Sequence, residues 1–74
     1  MIITTTDSLD GYVIEEYKGF VESGKCDYDS VAHTQIQRFA KSMGANAIVG
    51  FRMNIIDDSY YFYGTAVVLK KSEK

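Results

Sequence analysis

A chain of 74 residues with eight basic and ten acidic side chains, net charge −2, has room for one domain and no second core. One cysteine rules out an internal disulfide and the paired-cysteine zinc motifs. No apolar run approaches the roughly 20 residues that span a bilayer, and the scattered lysines and arginines argue against nucleic-acid partners.

The free thiol and the lack of a leader-like start point to the reducing cytoplasm. A domain this small buries only about 60% of the surface its unfolded chain exposes. With no disulfide or zinc staple, partner subunits are expected to add burial, so a homo-oligomer is the expected state.

Residues 1–74 read as one α+β domain in the order β-β-α-β-β, an antiparallel sheet with one helix packed on it. Ile2 to Thr6, rich in β-branched residues, forms a short first strand. "DSLDG" is a loop of turn formers. Tyr12 to Glu22 is a second strand, in which Gly19 marks a bulge or a close approach.

From Val31 to Met43, Ala32, Ile36, Phe39, Ala40 and Met43 recur at helical spacing and define one core-facing stripe. Asp29 or Ser30 is expected at the N-cap, and Gly44 at the left-handed position that closes a helix. A third strand runs from Asn46 to about Ile56, with Ala47, Val49, Phe51, Met53 and Ile55 on one face.

"DDS" turns the chain into a last strand, Tyr60 to Leu69. Tyr61, Tyr63, Thr65, Val67 and Leu69 share one face; Tyr60, Phe62, Gly64, Ala66 and Val68 share the other. Neither face is polar, and one helix covers one side. Another subunit is expected on the second, with Tyr61, Phe62 and Tyr63 at the contact. Gly50 and Gly64 suit a close backbone approach, within the sheet or across that contact.

"MIITTT", "EYKGFV", "MGANAIVGF" and "YGTAVVL" fall in order along about half of the chain and resemble the YbjQ-like family, whose domain carries a heavy-metal-binding label. The resemblance implies a dodecin-like subunit in a ring, commonly a pentamer, with no defined biochemical role. Typical members are longer between the second strand and "GANA"; here "ESGKCDYDS" and an ordinary helix stand in that place.

The residues offer three kinds of site. Cys26, Asp27, Asp29 and His33 are the one group with metal-ligand chemistry, of a kind suited to a divalent transition metal such as zinc, copper or nickel. Its bland counterpart is a capped helix with His33 on the flank beside Gln37. Cys26 as a nucleophile with His33 as base is opposed by the adjacent carboxylates, which disfavour a thiolate. No orienting motif accompanies it, so the chain reads as a non-enzyme.

Tyr60, Tyr61 and Tyr63 could stack on a flat, flavin-like ligand, although strand aromatics more often serve a core or an interface. Asp57 and Asp58 read as turn residues. Arg52 is expected to pair with Glu15, Glu16 or Glu22 across the sheet.

Overall fold

The computed structural model describes residues 1–72. Strands β1 (Ile2–Ile3), β2 (Tyr12–Glu22), β3 (Ala47–Ile56) and β4 (Ser59–Lys71) form one sheet in the order β1-β3-β4-β2, with helix α1 (Asp29–Ser42) joining β2 to β3. This is the expected β-β-α-β-β order in two layers. One pairing differs from expectation: β2–β4 and β3–β4 are antiparallel, but β1 lies parallel to β3.

That order explains how the faces are covered. β2 and β3 flank β4 and run in the same direction, so the connection between them must cross the sheet, and α1 does so over one face. Its residues Ala32, Ile36 and Ala40 are buried with Val21, Ile48, Phe62 and Ala66, as the helical spacing predicts, whereas Phe39, expected on the same stripe, is exposed on the helix flank. β1 and β2 lie at opposite edges, so the loop between them must cross as well. Leu9 of that loop packs with Ile2, Tyr12 and Ile14 over Ala47, Val49, Val67 and Leu69.

The chain therefore hides half of its second face unaided. The expectation of a second face left wholly bare is corrected: the part that its own chain leaves open lies around Tyr61 and Tyr63.

The stretch "SMGANAIVG" is organised by its polar and small residues. Gly44 takes φ +86°, its N–H donates to the Lys41 carbonyl (2.9 Å), and the Ala45 N–H donates to the Ala40 carbonyl (3.1 Å). These two bonds are the Schellman closure, which favours glycine at the left-handed position. Asn46 then pairs with Leu69 through its side chain: the Leu69 N–H donates to Oδ1 (2.8 Å) and Nδ2 donates to the Leu69 carbonyl (3.0 Å). Asn46→Ala strips two backbone groups of partners at the head of β3. It should cost about 1–2 kcal/mol and lower Tm by about 5–15 °C in a circular-dichroism melt.

Gly50, at φ +62°, begins a bulge in which Gly50 and Phe51 together oppose Gly64. The bulge reverses the side-chain alternation. Phe51, Met53 and Ile55 fall on the helix side with Ile48, not beside Ala47 and Val49 as strict alternation predicts. The Gly50 N–H donates to the Thr6 carbonyl (2.8 Å) and the Phe51 N–H to the Thr4 carbonyl (3.0 Å). β1 is shorter than the Ile2–Thr6 expected because the Thr4 hydroxyl turns back to the Thr6 hydroxyl (2.8 Å) and N–H (3.2 Å).

The helix begins earlier than expected. Cys26 is pinned to Tyr60 by a pair of backbone bonds, 2.9 and 2.7 Å, so the chain turns into the helix almost at once. Tyr28 occupies the N-cap with no side-chain bond, and Asp29 lies in the first turn, its Oδ1 accepting from the Ser30 N–H (2.7 Å). The carboxylate still suits the positive end of the helix. At the far end of the sheet Asp57 (φ 50°) and Asp58 (φ 63°) form the two-residue hairpin turn expected of "DDS".

Candidate functional site

Cys26, Asp27, Asp29 and His33 do not converge. Cys26 is partly buried against the helix-side core, its Sγ 3.8 Å from the Gly24 carbonyl oxygen and 4.0 Å from that of Ser23. Asp27 is exposed, and the Asp29 carboxylate bonds its neighbour's N–H. His33 shares a 2.8 Å hydrogen bond between its Nδ1 and Gln37 Nε2, and its ring meets the edges of Phe51 (5.9 Å) and Phe62 (6.0 Å). Among the described residues no three His, Cys, Asp or Glu side chains gather where a metal ion could sit. These four residues do not fit a transition-metal centre within one chain.

The expected interface residues also divide. Phe62 is 5% exposed and belongs to the core beneath the helix, packed edge-on against Phe51 (5.1 Å); it is not a surface residue. Gly64 is buried, and a Cβ there would stand 2.7 Å from Ile48 Cγ2 and 3.1 Å from the Val49 carbonyl oxygen. Its close approach is internal, to β3. Gly50 faces the Thr4–Thr6 segment through its N–H and the Asp7 side chain. Tyr61 and Tyr63 are half-buried, on the face of the sheet that the helix does not cover.

There they join residues that local spacing did not reveal. β2 carries two bulges, at Glu15 and Lys18, which bring Tyr17, Phe20 and Glu22 onto the same face as Tyr61 and Tyr63. Tyr17 is 69% and Phe20 63% exposed. The Phe20 and Tyr63 ring centroids are 6.5 Å apart and those of Tyr61 and Tyr63 6.0 Å, both pairs tilted. Tyr61 donates its hydroxyl to the Glu22 carboxylate. Arg52 makes none of the expected ion pairs; its guanidinium donates to the carbonyls of Thr5 and Phe51.

By accepting the Tyr61 hydroxyl hydrogen bond, the Glu22 carboxylate holds that phenol above the ordinary tyrosine value, with desolvation and the Glu22 and Tyr63 charges acting in the same direction. A raised folded-state value means that this contribution to stability is complete below about pH 10 and is lost as pH climbs through the shifted value. In a phenolate absorbance titration Tyr61 should ionise after an unperturbed tyrosine, and Glu22→Gln should bring it back toward the ordinary value.

A concavity of about 570 Å³ lies at the end of the helix between Met1, Ile2, Lys41, Ala45 and Asn46. It gathers no carboxylate, thiol or imidazole.

By fold and surface, then, the chain is a two-layer α+β domain with a half-covered sheet and an aromatic row on its uncovered half. It is 39% identical to the UPF0145 protein MJ1170 of Methanocaldococcus jannaschii, over 96% of this chain and 94% of that protein. The chain belongs to the UPF0145 family, the YbjQ-like group that its "GANAIVG" and "GTAVV" motifs resemble. That alignment runs over 85 positions against the 74 residues here, so the relative carries residues this chain lacks.

The crystal structure of a DUF74-family protein of unknown function from Pediococcus pentosaceus shares the fold. Its TM-score is 0.67, at 20% identity over 95% of this chain and 98% of that one. No family model matches the chain.

Proposed function

We propose that this protein is a cytoplasmic, non-enzymatic module that assembles with copies of itself into a ring, of about five subunits by the family resemblance. Any ligand would be held where the subunits meet. The observation that carries this reading is the row of Tyr17, Phe20, Tyr61 and Tyr63 beyond the reach of Leu9: four aromatic side chains on one face, Tyr17 and Phe20 mostly exposed and Tyr61 and Tyr63 half-buried beside them. Isolated exposed apolar residues are ordinary, whereas a contiguous set of this kind marks a contact.

The sheet edges support the same reading. β2 ends the sheet on one side. On the other, β1 stops short. The Phe51 N–H points to that edge, where it meets Thr4, and strand alternation turns the backbone groups of Met53 and Ile55 the same way, past the end of the β1 segment. Two different open edges suit a head-to-tail contact, which closes into a ring when the rotation allows. Met53 and Ile55, 53% and 58% exposed, flank the second edge.

Phe20→Asp tests the contact without touching the core. In sedimentation and light scattering the wild type should exceed the 8.3 kDa subunit mass, and the variant should fall to it with an unchanged far-UV spectrum. An assembled variant would reject this face as the contact.

A further inference from the structure

The aromatic row has an anion at its centre. Tyr63 is the cross-strand partner of Glu22, and Phe20 lies two residues back on the same face of β2. Tyr61 donates a hydroxyl hydrogen bond to the Glu22 carboxylate. The three rings stand in sequence, Phe20 inclined 33° to Tyr63 and Tyr63 inclined 42° to Tyr61. A carboxylate offers about four acceptor positions, and one phenol fills one of them.

No cation of the described residues completes the set. The ion pair found among them joins Lys18 to Glu16. Arg52, opposite Tyr63 on β3, is held by the Thr5 and Phe51 carbonyls.

Ring faces carry negative charge density, and they attract a weakly hydrated cation more effectively than a compact, strongly hydrated one. One carboxylate is too few ligands for a divalent metal, and its charge opposes an anionic flat cofactor. We propose that Phe20, Glu22, Tyr61 and Tyr63 form a subsite for a small organic cation bearing a substituted ammonium group. This deepens the assembly reading, because it gives the ligand class held at the subunit contact. All four groups belong to one copy, so binding and assembly can be measured apart.

The chain has no tryptophan and six tyrosines, so its emission comes from tyrosine, with Tyr17, Tyr61 and Tyr63 of the row contributing. The full chain is titrated with choline and, in parallel, with its neutral isostere 3,3-dimethylbutanol, while backbone amide resonances locate the response. Expected is a saturable change at Phe20, Glu22, Tyr61 and Tyr63, with the isostere at least about fivefold weaker. Glu22→Gln should weaken choline by a similar factor, as should Phe20→Leu, an exposed change that leaves the core intact.

No saturable response, equal binding of the isostere, or an unaltered Glu22→Gln variant would overturn the subsite. So would exclusion of choline from an assembly whose mass drops with Glu22→Gln, since a lysine or arginine of the neighbouring copy would then be the occupant. Sedimentation of the same samples separates the two claims: a monomer that binds choline keeps the subsite and rejects the assembly.

Discussion

Gly64→Ala should lower the melting temperature by about 5–20 °C, and Gly64→Val should leave little folded protein at ordinary temperature. A Cβ at this position would lie 2.7 Å from Ile48 Cγ2, 3.1 Å from the Val49 carbonyl oxygen and 3.4 Å from Phe51 Cα. None of these can retreat easily: Ile48 is fully buried under the helix, and the other two are backbone of the bulge that turns β3. Overpacking of this kind costs about 1–3 kcal/mol for a methyl group and more for a branched side chain. At roughly 0.05–0.15 kcal/mol per residue the whole domain is stable by only about 4–11 kcal/mol, so the loss is a large share. Each kcal/mol moves Tm by about 4–8 °C in a domain this size. Thermal melts followed by circular dichroism read the effect; an unmoved Tm for Gly64→Ala would mean that β3 and β4 do not meet this closely.

Ile36→Ala should be the most damaging truncation in the helix. Ile36 has no exposed surface, stands between Ala32 and Ala40 on the inner stripe, and shares a core with Ile48, Phe62 and Ala66. The two flanking alanines cannot reach into the space it leaves, so the removed volume persists as a cavity. Such deletions cost about 2–5 kcal/mol. In urea the midpoint should fall sharply at an unchanged slope, since the folded and unfolded surfaces barely change. A midpoint within error of the wild type would contradict the packing of α1 on the sheet.

The parts of the fold that follow from local chemistry are legible in the sequence. Ala32, Ile36 and Ala40 recur at helical spacing and are the buried helix residues; Gly44 closes the helix, and the two faces of β4 separate by strict alternation because that strand carries no bulge. β2 runs over Tyr12–Glu22 as its composition indicates.

What the sequence conceals depends on contacts between distant residues. The bulge at Gly50 and Phe51 inverts the second half of β3, and it is fixed by Gly64 across the sheet and by Thr4 and Thr6 from β1. Self-coverage by Leu9 follows from β1 and β2 taking opposite edges, which no local pattern encodes. The candidate ligands near Cys26 are close in sequence but diverge, because the Cys26–Tyr60 pairing and the Gln37 bond turn them apart. The site residues were only half visible for the same reason. Tyr61 and Tyr63 stand out as aromatics, whereas Glu22 lies 39 positions from Tyr61 and reaches it only through the β2–β4 register.

The proposed assembly is tested most directly by the mass of the unmodified protein in solution, followed by sedimentation equilibrium as the sample is diluted. A particle several times heavier than 8.3 kDa, persisting until high dilution, is the predicted result. A folded single chain at every concentration would contradict it and leave the tyrosine row open to solvent.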